Sequence, residues 1–84
     1  MLDKTRIINT ETIEDALINE MLHEVIDALE ERGYKPINQL LGYFMSGDPG
    51  YISSYKGARD KITRFERAKV LMCVLEGYLN KWNI

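Results

Sequence analysis

Gly33-Tyr34-Lys35-Pro36-Ile37-Asn38-Gln39-Leu40-Leu41-Gly42-Tyr43 is where one helix stops and the next begins. Gly33 supplies the left-handed residue expected just past a helix end. Tyr34 can then fold back onto Leu29, as in a Schellman ending. Pro36 forbids continuation of the first helix and suits the first turn of a new one. A stop and a restart this close together place helices on both sides of the joint.

Upstream, Thr10 and Thr12 both suit a helix N-cap, and Glu14 and Asp15 follow where the helix dipole favours acids. Ile18, Leu22, Val25 and Leu29 then repeat at four, three and four, which lines one face of a helix running to about Arg32. Ala16, Met21, Ile26 and Ala28 broaden that stripe. Residues 1–9 show no periodicity and read as an exposed tail ahead of a single helical domain, 10–84.

Downstream, Ile37, Leu40, Leu41, Phe44 and Met45 continue at helical spacing, and Gly47 ends that helix. Gly42 in its middle costs about 1 kcal/mol relative to alanine, which points to a close approach there. Asp48-Pro49-Gly50-Tyr51 reads either as a simple turn or as a short helical turn capped by Asp48 with Pro49 first. The second reading is preferred, because it sets Tyr51, Ile52 and Tyr55 on one side. From Ala58 to about Asn80 the period is helical again. Thr63-Arg64-Phe65-Glu66 has capping-box spacing, so this segment is one helix or two that meet near Thr63. No stretch alternates as a strand would.

Within that last segment Val70-Leu71-Met72-Cys73-Val74-Leu75 is apolar on every side. Such a helix needs cover all round, and 84 residues offer few elements to supply it. A domain this small buries only roughly 60–65% of the surface its unfolded chain exposes. The expectation is a homodimer, with Val70, Leu71, Val74, Leu75 and Tyr78 as interface candidates. The fold class is all-α, a compact bundle of four to five helices.

Charge is divided unevenly. Residues 1–32 carry nine acids and three bases, residues 33–84 four acids and eight bases, for a net of −2. The simplest reading is mutual neutralisation, within a subunit or across a dimer. Lys56, Arg59, Lys61, Arg64, Arg67 and Lys69 lie close together, which raises nucleic-acid binding as the alternative. The low pI, about 5.3, and the interrupting Asp60 and Glu66 weigh against it.

Little in the chain suits catalysis. His23 is the single histidine and Cys73 the single cysteine, the latter inside the apolar run and expected to be buried and inert. Glu20, Glu24, Asp27 and Glu31 form a helical row that reads as a solvated face. There is no metal-ligand cluster, no phosphate loop and no dinucleotide fingerprint, so no metal and no cofactor are expected. The longest apolar run is six residues, against the roughly 20 needed to cross a bilayer, and the N-terminus lacks a signal-peptide core. A cytoplasmic protein without membrane insertion is the expectation.

The Gly33-to-Tyr43 stretch continues through Ser46-Gly47-Asp48-Pro49-Gly50-Tyr51-Ile52, then Tyr55, Ala58-Arg59, Ile62 and Glu66-Arg67. From Gly33 to Arg67, without a gap, this resembles the IreB family of low-G+C Gram-positive bacteria. The residues that carry the resemblance are Gly33, Tyr34, Pro36, Asn38, Gln39, Gly42, Tyr43, Gly47, Asp48, Pro49, Tyr51, Arg59, Glu66 and Arg67. The resemblance implies a helical homodimer without enzymatic activity. It implies phosphorylation on tail threonines by a transmembrane Ser/Thr kinase with PASTA repeats, and a role in cell-envelope homeostasis through a downstream protein. Thr5 falls where the family has its acceptor. The family's second, upstream threonine is replaced here by Leu2, Asp3 and Lys4, which leaves Thr10 and Thr12 as further candidates. Gln39 and Asn38 are expected to hold the joint between helices; the alternative is a partner-binding groove around Asn38, Tyr43 and Tyr51.

Overall fold

The computed structural model describes residues 10–82. Four α-helices follow one another: α1 (Thr10–Glu31), α2 (Pro36–Ser46), α3 (Ala58–Ile62) and α4 (Arg67–Lys81). Two 3₁₀ turns, Pro49–Tyr51 and Tyr55–Gly57, link α2 to α3. No strand occurs among the described residues, so the all-α class stands.

α1 organises the core. Ile18, Met21, Leu22, Val25, Ala28 and Leu29 are buried on its inward face. Ile26 is only half-buried and Ala16 is exposed, at the margins of that face. The helix ends as the sequence indicates. Gly33 is left-handed at φ 81°. Its N–H donates to the Glu30 carbonyl at 2.9 Å, and the Tyr34 N–H donates to the Leu29 carbonyl at 2.9 Å. These are the two bonds of a Schellman ending, and they satisfy carbonyls the helix leaves open.

α2 departs from the expected stripe. Tyr43 is its buried residue, and Leu40 and Phe44 pack against the core. Ile37, Leu41 and Met45 face outward at 77, 57 and 79% exposure. The periodicity was there, but it ran over more than one face. Leu40, Tyr43 and Phe44 share the inner side, while Ile37, Leu41 and Met45 form an outer ridge at one-turn spacing.

Residues 58–80 form two helices with a break at 63–66, the second of the two expected arrangements. The cause is not a capping box. The Thr63 hydroxyl donates back to the Asp60 carbonyl at 2.9 Å, so it closes α3 instead of opening α4. α4 starts at an extended Glu66 that makes no side-chain cap. Ile62 of α3 and Val70 and Cys73 of α4 complete the core beside Ile52 and Ala58.

Candidate interaction surface

Most of the motif residues converge on the connection between α2 and α3, and what they hold is backbone. Asp48 caps the first 3₁₀ turn by accepting from the Gly50 N–H at 2.8 Å, as the preferred reading anticipates. Gln39 reaches across from α2, its Oε1 accepting from the Ser53 N–H at 2.9 Å. Arg59 Nε donates to the Ile52 carbonyl at 2.8 Å. The ring of Tyr51 lies across Gly42, where no side chain would fit beneath it. The Arg67 guanidinium lies in the same way against Gly47, left-handed at φ 78°. Pro36 and Pro49 open their helices, and Glu66 is the residue before α4.

These contacts identify the motif as a scaffold that clamps residues 47–57 onto α2 and α3. Tyr43 turns inward, whereas the half-exposed Tyr51 lies across Gly42. Asn38 itself is exposed. Of the two amides, only Gln39 ties the joint through its side chain among the contacts described.

The acidic first half and basic second half meet. Lys69 Nζ is 2.9 Å from a Glu14 carboxylate oxygen, Lys61 is 3.2 Å from Glu24, and Lys56 is 2.7 Å from Glu31. Arg64 pairs within its own segment, 3.0 Å from Asp60. The Lys56 hydrogen bond, joined by one from the Tyr55 hydroxyl, holds the Glu31 carboxyl below the usual carboxylate range. The same contact raises the Lys56 ammonium. Exposed pairs of this kind are each worth little, but together they engage four of the six bases of residues 56–69.

Cys73 lies between α4 and α1, its Sγ 3.5 Å from Asn19 Oδ1. Burial pushes the thiol up, and the nearby Asp15 and Glu76 carboxylates push it further. That is the opposite of a reactive cysteine. Among the described residues no cluster of His, Cys, Asp or Glu is arranged to hold a metal. No helix of the described chain is long and apolar enough to cross a membrane.

The largest unexplained feature is α4. Only Val70 and Cys73 turn inward. Val70 therefore belongs to the chain's own core, whereas Leu71, Val74, Leu75 and Tyr78 point outward. Three further residues join them: Met72, inside the apolar run, and Leu79 and Trp82 beyond it. A helical wheel extended past Leu75 would have found the last two, since residues 71, 75, 78 and 82 share one stripe and 72, 75 and 79 the row beside it. All seven are between 36 and 60% exposed. The Trp82 ring lies tilted beside that of Tyr78, with centroids 6.2 Å apart. Ile13 and Leu17, near the start of α1, are exposed as well.

Of the threonines, Thr5 lies outside the described residues, and Thr10 and Thr12 fall in the first turn of α1.

Comparison with known proteins agrees with the motif. The model of a family described as IreB regulatory phosphoprotein matches residues 3–80. A protein named UPF0297 protein, from Ruminiclostridium cellulolyticum, is 42% identical over 82 residues, spanning 98% of this chain and 93% of that one. By both measures the chain belongs to the IreB regulatory phosphoprotein family.

Proposed function

We propose that this chain is a non-enzymatic regulator in bacterial Ser/Thr-kinase signalling, linked to cell-envelope homeostasis and working in the cytoplasm. It acts through protein–protein contacts that phosphorylation of the N-terminal tail switches, with Thr5 as the principal acceptor. Family membership supports the regulatory phosphoprotein role. The observation that carries the mode of action is the uncovered apolar face of α4.

The size of that face argues for a homodimer. Seven large apolar side chains, each more than a third exposed, crowd the outer side of one short helix. A monomer seldom exposes a contiguous patch of that extent. The stripe itself bears no charge, and the bases of 56–69 are largely engaged with acids of the same chain, which argues against nucleic acid as the partner.

A phosphate on Thr5 would sit just ahead of α1, whose first turns carry Glu11, Glu14 and Asp15. The helix dipole would attract it and the carboxylates would repel it. Either balance changes how the tail lies against a partner. The test is incubation with a PASTA-type kinase domain and ATP, followed by site mapping with mass spectrometry. Stoichiometric labelling of wild type that disappears in Thr5→Ala is the expected result. Full labelling of the Thr5→Ala chain would refute Thr5, and no labelling of wild type would refute the kinase link.

A further inference from the structure

Of the six bases in residues 56–69, Arg59 and Arg67 meet no carboxylate among the described residues. The Arg67 guanidinium lies against the backbone at Gly47. Arg59 is placed differently. Its Nε–H donates to the Ile52 carbonyl at 2.8 Å, which pins the guanidinium from one side. Its two terminal nitrogens have no partner among the described residues.

Arg59 lines a cleft of about 300 Å³ with Pro49, Ser54, Gly57, Asp60 and Thr63. Pro49 and Gly57 are half-buried and the other four are exposed, so the cleft is open to solvent. The Ser54 hydroxyl also lacks a partner among the described residues. The Thr63 hydroxyl is turned to the Asp60 carbonyl, and the Asp60 carboxylate is matched by Arg64 at 3.0 Å. The one unmatched charge at the cleft is that of Arg59.

We propose that this cleft receives a carboxylate side chain from an acidic segment of a partner protein, held end-on by the terminal nitrogens of Arg59 beside the Ser54 hydroxyl. None of the lining residues belongs to α4, so the inference is independent of the face on that helix. A guanidinium whose Nε is engaged keeps one edge of parallel N–H donors, and that edge pairs bidentately with a carboxylate. The bond to Ile52 already restrains the side chain, which lowers the ordering cost of binding. Charge decides between oxyanions. A carboxylate brings one negative charge to one unmatched cation. A phosphate monoester brings nearly two, and the second would face Asp60. An open cleft buries too little of a small molecule to hold it, so the carboxylate comes on a larger partner whose remaining surface adds contact.

Proton–nitrogen NMR on the full chain tests this, with an acetylated tetraglutamate amide as probe at constant ionic strength. Its tetraglutamine counterpart and inorganic phosphate are the comparison ligands. Saturable shifts of the Arg59 Nε–H and of the Ser54 and Gly57 amides are expected with tetraglutamate. Arg59→Lys keeps the charge but loses the fork, and should raise the Kd about tenfold. Ser54→Glu leaves the Arg59 bond to Ile52 in place and sets a carboxylate beside the fork, so it should abolish the shifts. Lys35→Gln, outside the cleft, should leave the Kd unchanged, and circular dichroism checks that each variant folds. Shifts that do not saturate, a Kd unchanged in either Arg59→Lys or Ser54→Glu, or phosphate bound more tightly than tetraglutamate would overturn the proposal.

Discussion

The ring of Tyr51 lies directly across Gly42, so that a β-carbon at residue 42 would overlap it. On an exposed helix, Gly42→Ala would gain about 1 kcal/mol. Here it should lose roughly 1–2 kcal/mol, because the ring must leave its place or the helix must shift. The urea midpoint should fall. Removing the ring as well, in Gly42→Ala/Tyr51→Ala, should recover part of the loss in a non-additive way. A higher midpoint in Gly42→Ala would contradict the packing.

Gln39 and Asn38 are adjacent amides in one motif with different tasks. Gln39→Ala leaves the Ser53 N–H, in a partly buried place, without its acceptor. The cost should be about 1–3 kcal/mol. Asn38→Ala is a surface change and should stay within about 0.5 kcal/mol. Equal losses in chemical unfolding would show that the joint is held some other way.

The first helix and its ending were legible in the sequence because each signal there is local. A left-handed glycine, a proline and an apolar period need no knowledge of the partner element. The Asp48 cap was legible for the same reason, since its bond spans two residues. The outer ridge of Ile37, Leu41 and Met45 was not. Which apolar row of α2 turns inward depends on how residues 47–57 lie against it, and that is decided by Gln39 and Arg59 contacts 14 and 7 residues distant. The break before α4 was half legible. Thr63 and Glu66 have capping-box spacing, yet the Thr63 hydroxyl bonds backward to Asp60.

The pair Glu31 and Lys56 should shape stability at both ends of the pH range. The Glu31 carboxyl is held below its usual range, so its contribution is full above the unfolded carboxylate value and drains away as pH falls through the lowered one. Lys56 is raised, so its contribution is full below the unfolded ammonium value and is lost as pH climbs through the raised one. Both groups are exposed, and salt should weaken the effect. Thermal melts of wild type and Glu31→Gln should converge as pH drops below about 4. Curves that stay parallel throughout would show that the pair contributes nothing.

Cys73 should resist modification in the folded chain. Its thiol is buried and pushed up, so reaction with a disulfide reagent near pH 8 should be slow until denaturant is added. Rapid, complete reaction under native conditions would mean that α4 separates readily from α1.

The apolar face of α4 is tested most directly by molar mass in solution, measured by light scattering on wild type and Leu75→Glu. Leu75 is exposed, so the variant should fold, and its charge falls in the middle of the face. Wild type should run at twice the chain's 9.8 kDa, and Leu75→Glu at 9.8 kDa with the helical signal intact. A wild type of 9.8 kDa at concentrations well above the micromolar range, or a Leu75→Glu dimer as tight as wild type, would contradict a subunit interface on α4.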